Sequence, residues 1–207
     1  LYATRVPRFG KFKEKIQTLR DLQNVFQRHT GVRDYSAVNG VSPGICHQVA
    51  REEFIDVGDF IQATDSHTCM GGASNALTYG VGSTEYANLI HNQFAFVKVP
   101  ESIRFNLIGN LDPGCTAKDV ILHILWKYAA NSETLDRSME FGGSGLSSLS
   151  MDERATLCNM ATECSAKTGI CDPDDLTVEW LMERRDSLTE EEIYDSFVFA
   201  DEGAIYD

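Results

Sequence analysis

Residues 60–75 read FIQATDSHTCMGGASN. Phe60 and Ile61 open a short apolar run of strand type that stops near Thr64. A carboxylate, a hydroxyl and an imidazole follow at Asp65, Ser66 and His67, and Gly71 and Gly72 come soon after. Alternate residues of an extended chain share a face, so Asp65 and His67 are expected on one side. Open α/β sheets place their ligand crevices at the C-terminal ends of strands. A carboxylate beside an imidazole fixes its tautomer and favours the protonated ring, which suits a general acid. The competing reading is a turn in which Asp65 and Ser66 bond to nearby backbone. The glycines here and in GVGSTE (80–85) fit close packing, since neither stretch is a P-loop or matches GxGxxG.

Outward from this stretch, strand and helix patterns alternate, which makes the class α/β. Upstream, residues 10–29 place Phe12, Ile16, Leu19, Leu22 and Phe26 at helical spacing. ICHQVA (45–50) is a short apolar segment carrying His47, 18 residues before Asp65. A strand–turn–strand excursion of that length could return His47 to the same edge. Downstream, a helix is expected from a cap at Ser83. Ile103, Phe105 and Leu107 alternate as in a strand, and a domain boundary is expected near residue 98, giving domains 1–97 and 98–207. CTAKDVILHILWKYAA (115–130) is a helix opened by Thr116 and Asp119 at capping-box spacing. MEFGGSGLSSLS (139–150) reads as a loop. Ser150 and Glu153 form a second capping box, opening a helix expected to end at Gly169. Asn159 and Glu163, four apart, would share a face of it. The tail from Asp172 is acidic, with a helix around 175–185 and then a surface helix and strand, or a link.

Thirty-one acidic residues against 18 basic ones give a formal charge of -13, which argues against a nucleic-acid backbone as partner. No apolar run reaches the roughly 18–20 residues of a membrane span, and no signal peptide is seen. The six cysteines, without a CxxC pair, read as reduced thiols in a cytoplasmic setting. The chain opens on Leu1, as a processed or truncated one would.

Six segments carry a resemblance. GICHQV, then ATDSHT, GVGSTE, KVPESIRF, GCTAKDVIL and LSMDERATLCNMATECSAKTG resemble, in order and rough spacing, the aconitase superfamily. The likeness is greatest to the large subunits of 3-isopropylmalate dehydratase and homoaconitase, and it runs from about residue 35 to the C-terminus. It implies three-layer aconitase-like α/β domains within a larger iron–sulfur dehydratase. Residues 1–97 would be the latter part of a first domain, and residues 98–207 a second.

The resemblance also implies hydro-lyase chemistry, the dehydration and rehydration of a small hydroxy acid with a [4Fe-4S] cluster. His47 would pair with Asp65 and His67 with Glu163 as acid–base groups. Ser66 and Asn159 would bind substrate. The glycines after His67 would let the backbone pack close to the cluster. The departures matter equally. No cluster-ligating cysteine motif such as GSCTN is present, so no metal ligand is assigned in this chain. An Asp–His pair expected before residue 10 is also missing. The partners implied are a cluster-bearing domain and a small swivel subunit. The alternative is a non-catalytic module for assembly or ligand binding, which the cysteines of the full-length gene would separate from the first reading.

Overall fold

A computed structural model describes residues 10 and 12–206. They fall into two compact units, Leu1–Ile45 and Cys46–Asp207. The first unit contains α1 (Lys13–Thr30), ended by Gly31 in the left-handed region at φ 69. Leu19, Leu22 and Phe26 of its apolar stripe are exposed, and α1 buries no residue. The family's upstream Asp–His pair, expected before residue 10, would lie outside the described residues.

The second unit is α/β and entirely parallel in its strands. It opens with α2 (Cys46–Glu53), so His47 sits in the first turn of a helix rather than on a strand. Then come β1 (Phe60–Ala63), a 3₁₀ helix (Ser66–Ser74), β2 (Leu77–Gly80) and α3 (Ser83–Asn92). Gly82, not Ser83, caps α3. The chain continues through β3 (Ser102–Asn106), α4 (Ala117–Lys127), β4 (Ser138–Gly142), α5 (Met151–Asn159), β5 (Thr168–Cys171), α6 (Asp175–Met182) and α7 (Glu190–Asp195). β1 pairs with β2, Phe60 opposite Leu77. β4 lies between β3 and β5, with Met139 opposite Ile103 and Gly169.

β4 replaces the first four residues of the loop or turn expected over 139–150, and 143–150 keep it as a turn with a short 3₁₀ helix, Leu146–Ser148. Met139 and Phe141 are fully buried, and the glycine after them serves close approach rather than a turn. A Cβ on Gly142 would lie 2.0 Å from the Arg104 guanidinium. Gly169, expected to end the preceding helix, is instead inside β5. A Cβ there would press on Cys158 Cα at 3.0 Å. α5 therefore stops ten residues earlier, at Asn159, and tight i→i+3 turns follow, such as Glu163 N–H to Met160 O at 3.1 Å. The capping boxes at Thr116 and Ser150 form as spaced, with Thr116 N–H donating to Asp119 at 2.8 Å and Ser150 N–H to Glu153 at 2.9 Å. After α7 no strand occurs among the described residues.

The main core gathers Ile103, Ile121, Ile124, Met139, Phe141, Leu157 and Cys158 between the larger sheet, α4 and α5. A second cluster joins Val57 and Met151 to Val178, Trp180, Leu181 and Ile193. Between the two sheets runs the 3₁₀ helix. A Cβ on Gly72 would lie 1.7 Å from Gly169 O, so the paired glycines bring this helix onto the backbone of β5. The Thr168 hydroxyl donates to Thr78 O at 2.7 Å, joining β5 to β2 without a backbone ladder. No helix among the described residues is long and apolar enough to cross a membrane.

Candidate active site

β1 ends at Ala63, and Asp65 caps the 3₁₀ helix by accepting the His67 N–H at 2.9 Å. That bond turns the chain out of the strand, so Asp65 and His67 meet around a cap and not along an extended face. Asp65 O also accepts from Thr68, whose hydroxyl lies at 2.6 Å. Gly80, at the end of β2, lets this turn come close, since a Cβ there would be 2.5 Å from Asp65 O. The turn is present, and the atoms that make it also fix the Asp65 and His67 side chains.

α2 brings His47 to the same carboxylate, its Nε2 2.9 Å from Asp65 Oδ1. A proton on Nε2 makes His47 the donor. The same oxygen lies 3.6 Å from His67 Nδ1, and the two imidazole centroids are 6.3 Å apart. His67 Nε2 is 3.1 Å from Glu163 Oε1, supplied by the turn after α5. Ser66 Oγ stands 3.3 Å from His67 Nδ1. His47, Asp65, His67 and Glu163 therefore form one continuous row, with Asp65 between two rings.

Asn159, the last residue of α5, is tied to the row through Cys69. The Cys69 thiol lies 3.5 Å from both Ser66 O and Asn159 O. This places Asn159 beside the DSHT turn, although Glu163 does not share its helix. Glu163 and Asp65 keep 52% and 56% of their side-chain surface open and His67 keeps 36%, so a small molecule can reach the row from solvent. His47 is more enclosed. The His67 N–H, joined by the His47 ring, holds the Asp65 carboxyl below its ordinary value against desolvation. An ionised carboxylate at this point is a ready acceptor for the ring N–H of His47. The row can donate a proton to a departing oxygen and recover it from water.

The cysteines do not fit a metal cluster. Cys69, Cys158, Cys164 and Cys171 are buried, and burial pushes the Cys69 and Cys164 thiols up to about 11 and raises Cys158 well above the ordinary thiol value. Among the described residues, no three His, Cys, Asp or Glu side chains converge as a metal site.

Sequence reasoning passed over three buried arginines. Arg51 lies four residues beyond His47 on α2 and is fully buried, its guanidinium 4.7 Å from the Trp180 ring. Burial lowers its pKa from the ordinary value, opposed by Asp152. Arg154 and Arg185 are also buried. The available signal was a cation one helical turn from a site histidine, directly after the apolar segment 45–50.

The model of the Aconitase family (aconitate hydratase) matches residues 7–207. Among curated relatives, the 3-isopropylmalate dehydratase large subunit of Helicobacter hepaticus is 45% identical over 138 residues, 66% of this chain and 33% of that protein. The same-named subunit of Geobacter sulfurreducens is 39% identical over 173 residues, 83% of this chain and 39% of that protein. The 2,3-dimethylmalate dehydratase large subunit of Eubacterium barkeri is 43% identical over 141 residues, 68% of this chain and 33% of that protein. The chain spans between 33% and 39% of the length of these relatives.

Proposed function

The chain belongs to the aconitase family, and from that premise we propose that it supplies the acid–base edge of a hydro-lyase acting on a small hydroxy acid. The observation that carries the reading is the continuous row His47–Asp65–His67–Glu163, solvent-open at its centre. In dehydration, a proton must reach the departing hydroxyl, and in rehydration a water must lose one. His67, backed by Glu163 and Asp65, is the ring best placed to make that exchange. His47 shares the Asp65 carboxylate and holds the second mobile proton. Ser66, beside His67, and Asn159, linked to the same turn through Cys69, are the candidates to hold substrate carboxylate and hydroxyl oxygens.

Relatives named for isopropylmalate and dimethylmalate support a branched malate-type substrate, which for isopropylmalate would put the reaction in leucine biosynthesis. In this reading the [4Fe-4S] cluster is held by a cluster-bearing domain beyond the described residues, and a small swivel subunit completes the enzyme. The two sheets on either side of residue 98 support a first domain through 97 and a second from 98. Six free thiols agree with a cytoplasmic setting.

The test is turnover of 3-isopropylmalate by the complete enzyme, followed through the ultraviolet absorbance of the unsaturated intermediate. His67→Ala and His47→Ala should each lower kcat by roughly a hundredfold or more, the usual weight of a positioned acid–base group. Full turnover by a folded His67→Ala enzyme would sink the reading.

A further inference from the structure

What holds α2, and hence His47, comes from far along the chain. Arg185 is nearly buried in the segment after α6. Its guanidinium donates to the carbonyls of Arg51 at 3.1 Å, Ile55 at 3.2 Å and Glu52, and its Nε donates to Asp56 Oδ1 at 2.7 Å. The Arg51 and Glu52 carbonyls are ones that the C-terminus of a helix leaves without partners, and Ile55 lies just beyond that end. A cation at that end also complements the helix dipole.

Arg51 ties the same helix to α5. Its Nη2 donates to Met151 O at 3.2 Å, and its Nη1 to Gln48 Oε1 at 3.0 Å, with Asp152 Oδ1 at 3.5 Å. Its Nε has no hydrogen-bond partner although it is buried. A fully buried guanidinium with one donor unmet is costly, and an apolar side chain of similar volume is often as stabilising or more so. Packing alone therefore does not account for Arg51. α2 has only eight residues, so fixing its last turn fixes the direction of its first, where His47 points at Asp65. His67 is placed differently, by the Asp65 cap on the 3₁₀ helix.

We infer that Arg51 and Arg185 are positioning residues for His47, clamping α2 so that the imidazole stays on the Asp65 carboxylate. The inference rests on His47 serving as an acid–base group, but its test reads geometry and not turnover. A failed dehydratase reading would show as full activity in His47→Ala enzyme, and a failed clamp would show in the experiment below.

The experiment labels the full chain with ¹⁵N-histidine and follows the imidazole N–H signals of His47 and His67, assigned through single His→Gln variants. Arg51→Met and Arg185→Lys are compared with the parent. Expected are a fold retained by circular dichroism, a His47 Nε2–H that exchanges with water roughly tenfold faster or more, as losing a hydrogen bond to a charged partner predicts, and an unchanged His67 signal. Arg185→Lys keeps the charge but not the four-bond fork, so its effect should be the smaller of the two. Unchanged His47 exchange in both folded variants would overturn the clamp. So would equal changes at His47 and His67, which would mean general loosening. An Arg51→Met chain that no longer folds would make Arg51 a structural residue and overturn it as well.

Discussion

Asp65 does three things with one carboxylate: it caps the 3₁₀ helix, accepts from His47 and lies against the His67 ring. Asp65→Ala removes all three. The lost cap should cost about 1 kcal/mol, read as a lower urea midpoint, and both rings should lose their shared partner. More than half of the Asp65 side chain is exposed, so its ionisation contributes little to stability after solvent screening. The cysteines make a sharper residue-scale prediction. Cys46 and Cys115 are exposed, whereas the other four thiols are buried. Thiolates are the reactive form, and burial suppresses them. Ellman's reagent should titrate two thiols in the native chain and six in denaturant. A native count above two would show that the core opens readily.

Among the elements, α5 and α6 are joined by a salt bridge in which Arg154, fully buried, donates twice to Asp174 at 2.8 and 2.5 Å. Asp174 also caps α6 through the Thr177 N–H. Burial works against its ionisation, but Arg154, joined by the backbone N–H groups of Thr177 and Leu176, keeps the carboxyl below its ordinary value. The folded pKa is thus lower than the unfolded one. The stability this contributes is present above the unfolded value of roughly 4 and is lost as pH falls through the folded value. Asp174→Ala should cost about 3 kcal/mol, because it strands a buried guanidinium, and the acid limb of the stability curve should flatten. Gly72→Ala is the second element-scale test. The Cβ would collide with backbone of β5 rather than with a side chain that could swing away. A loss on the order of 3 kcal/mol is expected, seen by calorimetry as a clearly lower Tm.

At the scale of the whole molecule, the legible parts were those whose signal is local. Thr116 with Asp119 and Ser150 with Glu153 announce their helices because a capping box closes within four residues. The crowding of Asp65, Ser66 and His67 was visible for the same reason, and the structure joins the three in one hydrogen-bonded turn. β4 was hidden because its last residue, Gly142, runs into the glycine turn that follows it, and only the Arg104 side chain that crosses Gly142 shows why a glycine ends the strand. The end of α5 was hidden because it depends on how Cys158 and Ala161 meet Gly169, a contact between separate elements. The arginine clamp was hidden because Arg185 acts on carbonyls more than a hundred residues away. One feature of the assembly governs how it comes apart. β2 and β5 lie side by side, bridged by the Thr168 hydroxyl where a row of amide bonds would otherwise run. That junction is a seam between two cooperative blocks. In hydrogen–deuterium exchange, amides bordering it should open by a sub-global route, ahead of the central strand β4. Thr168→Val should widen the gap between the two exchange rates without altering the protection inside either sheet.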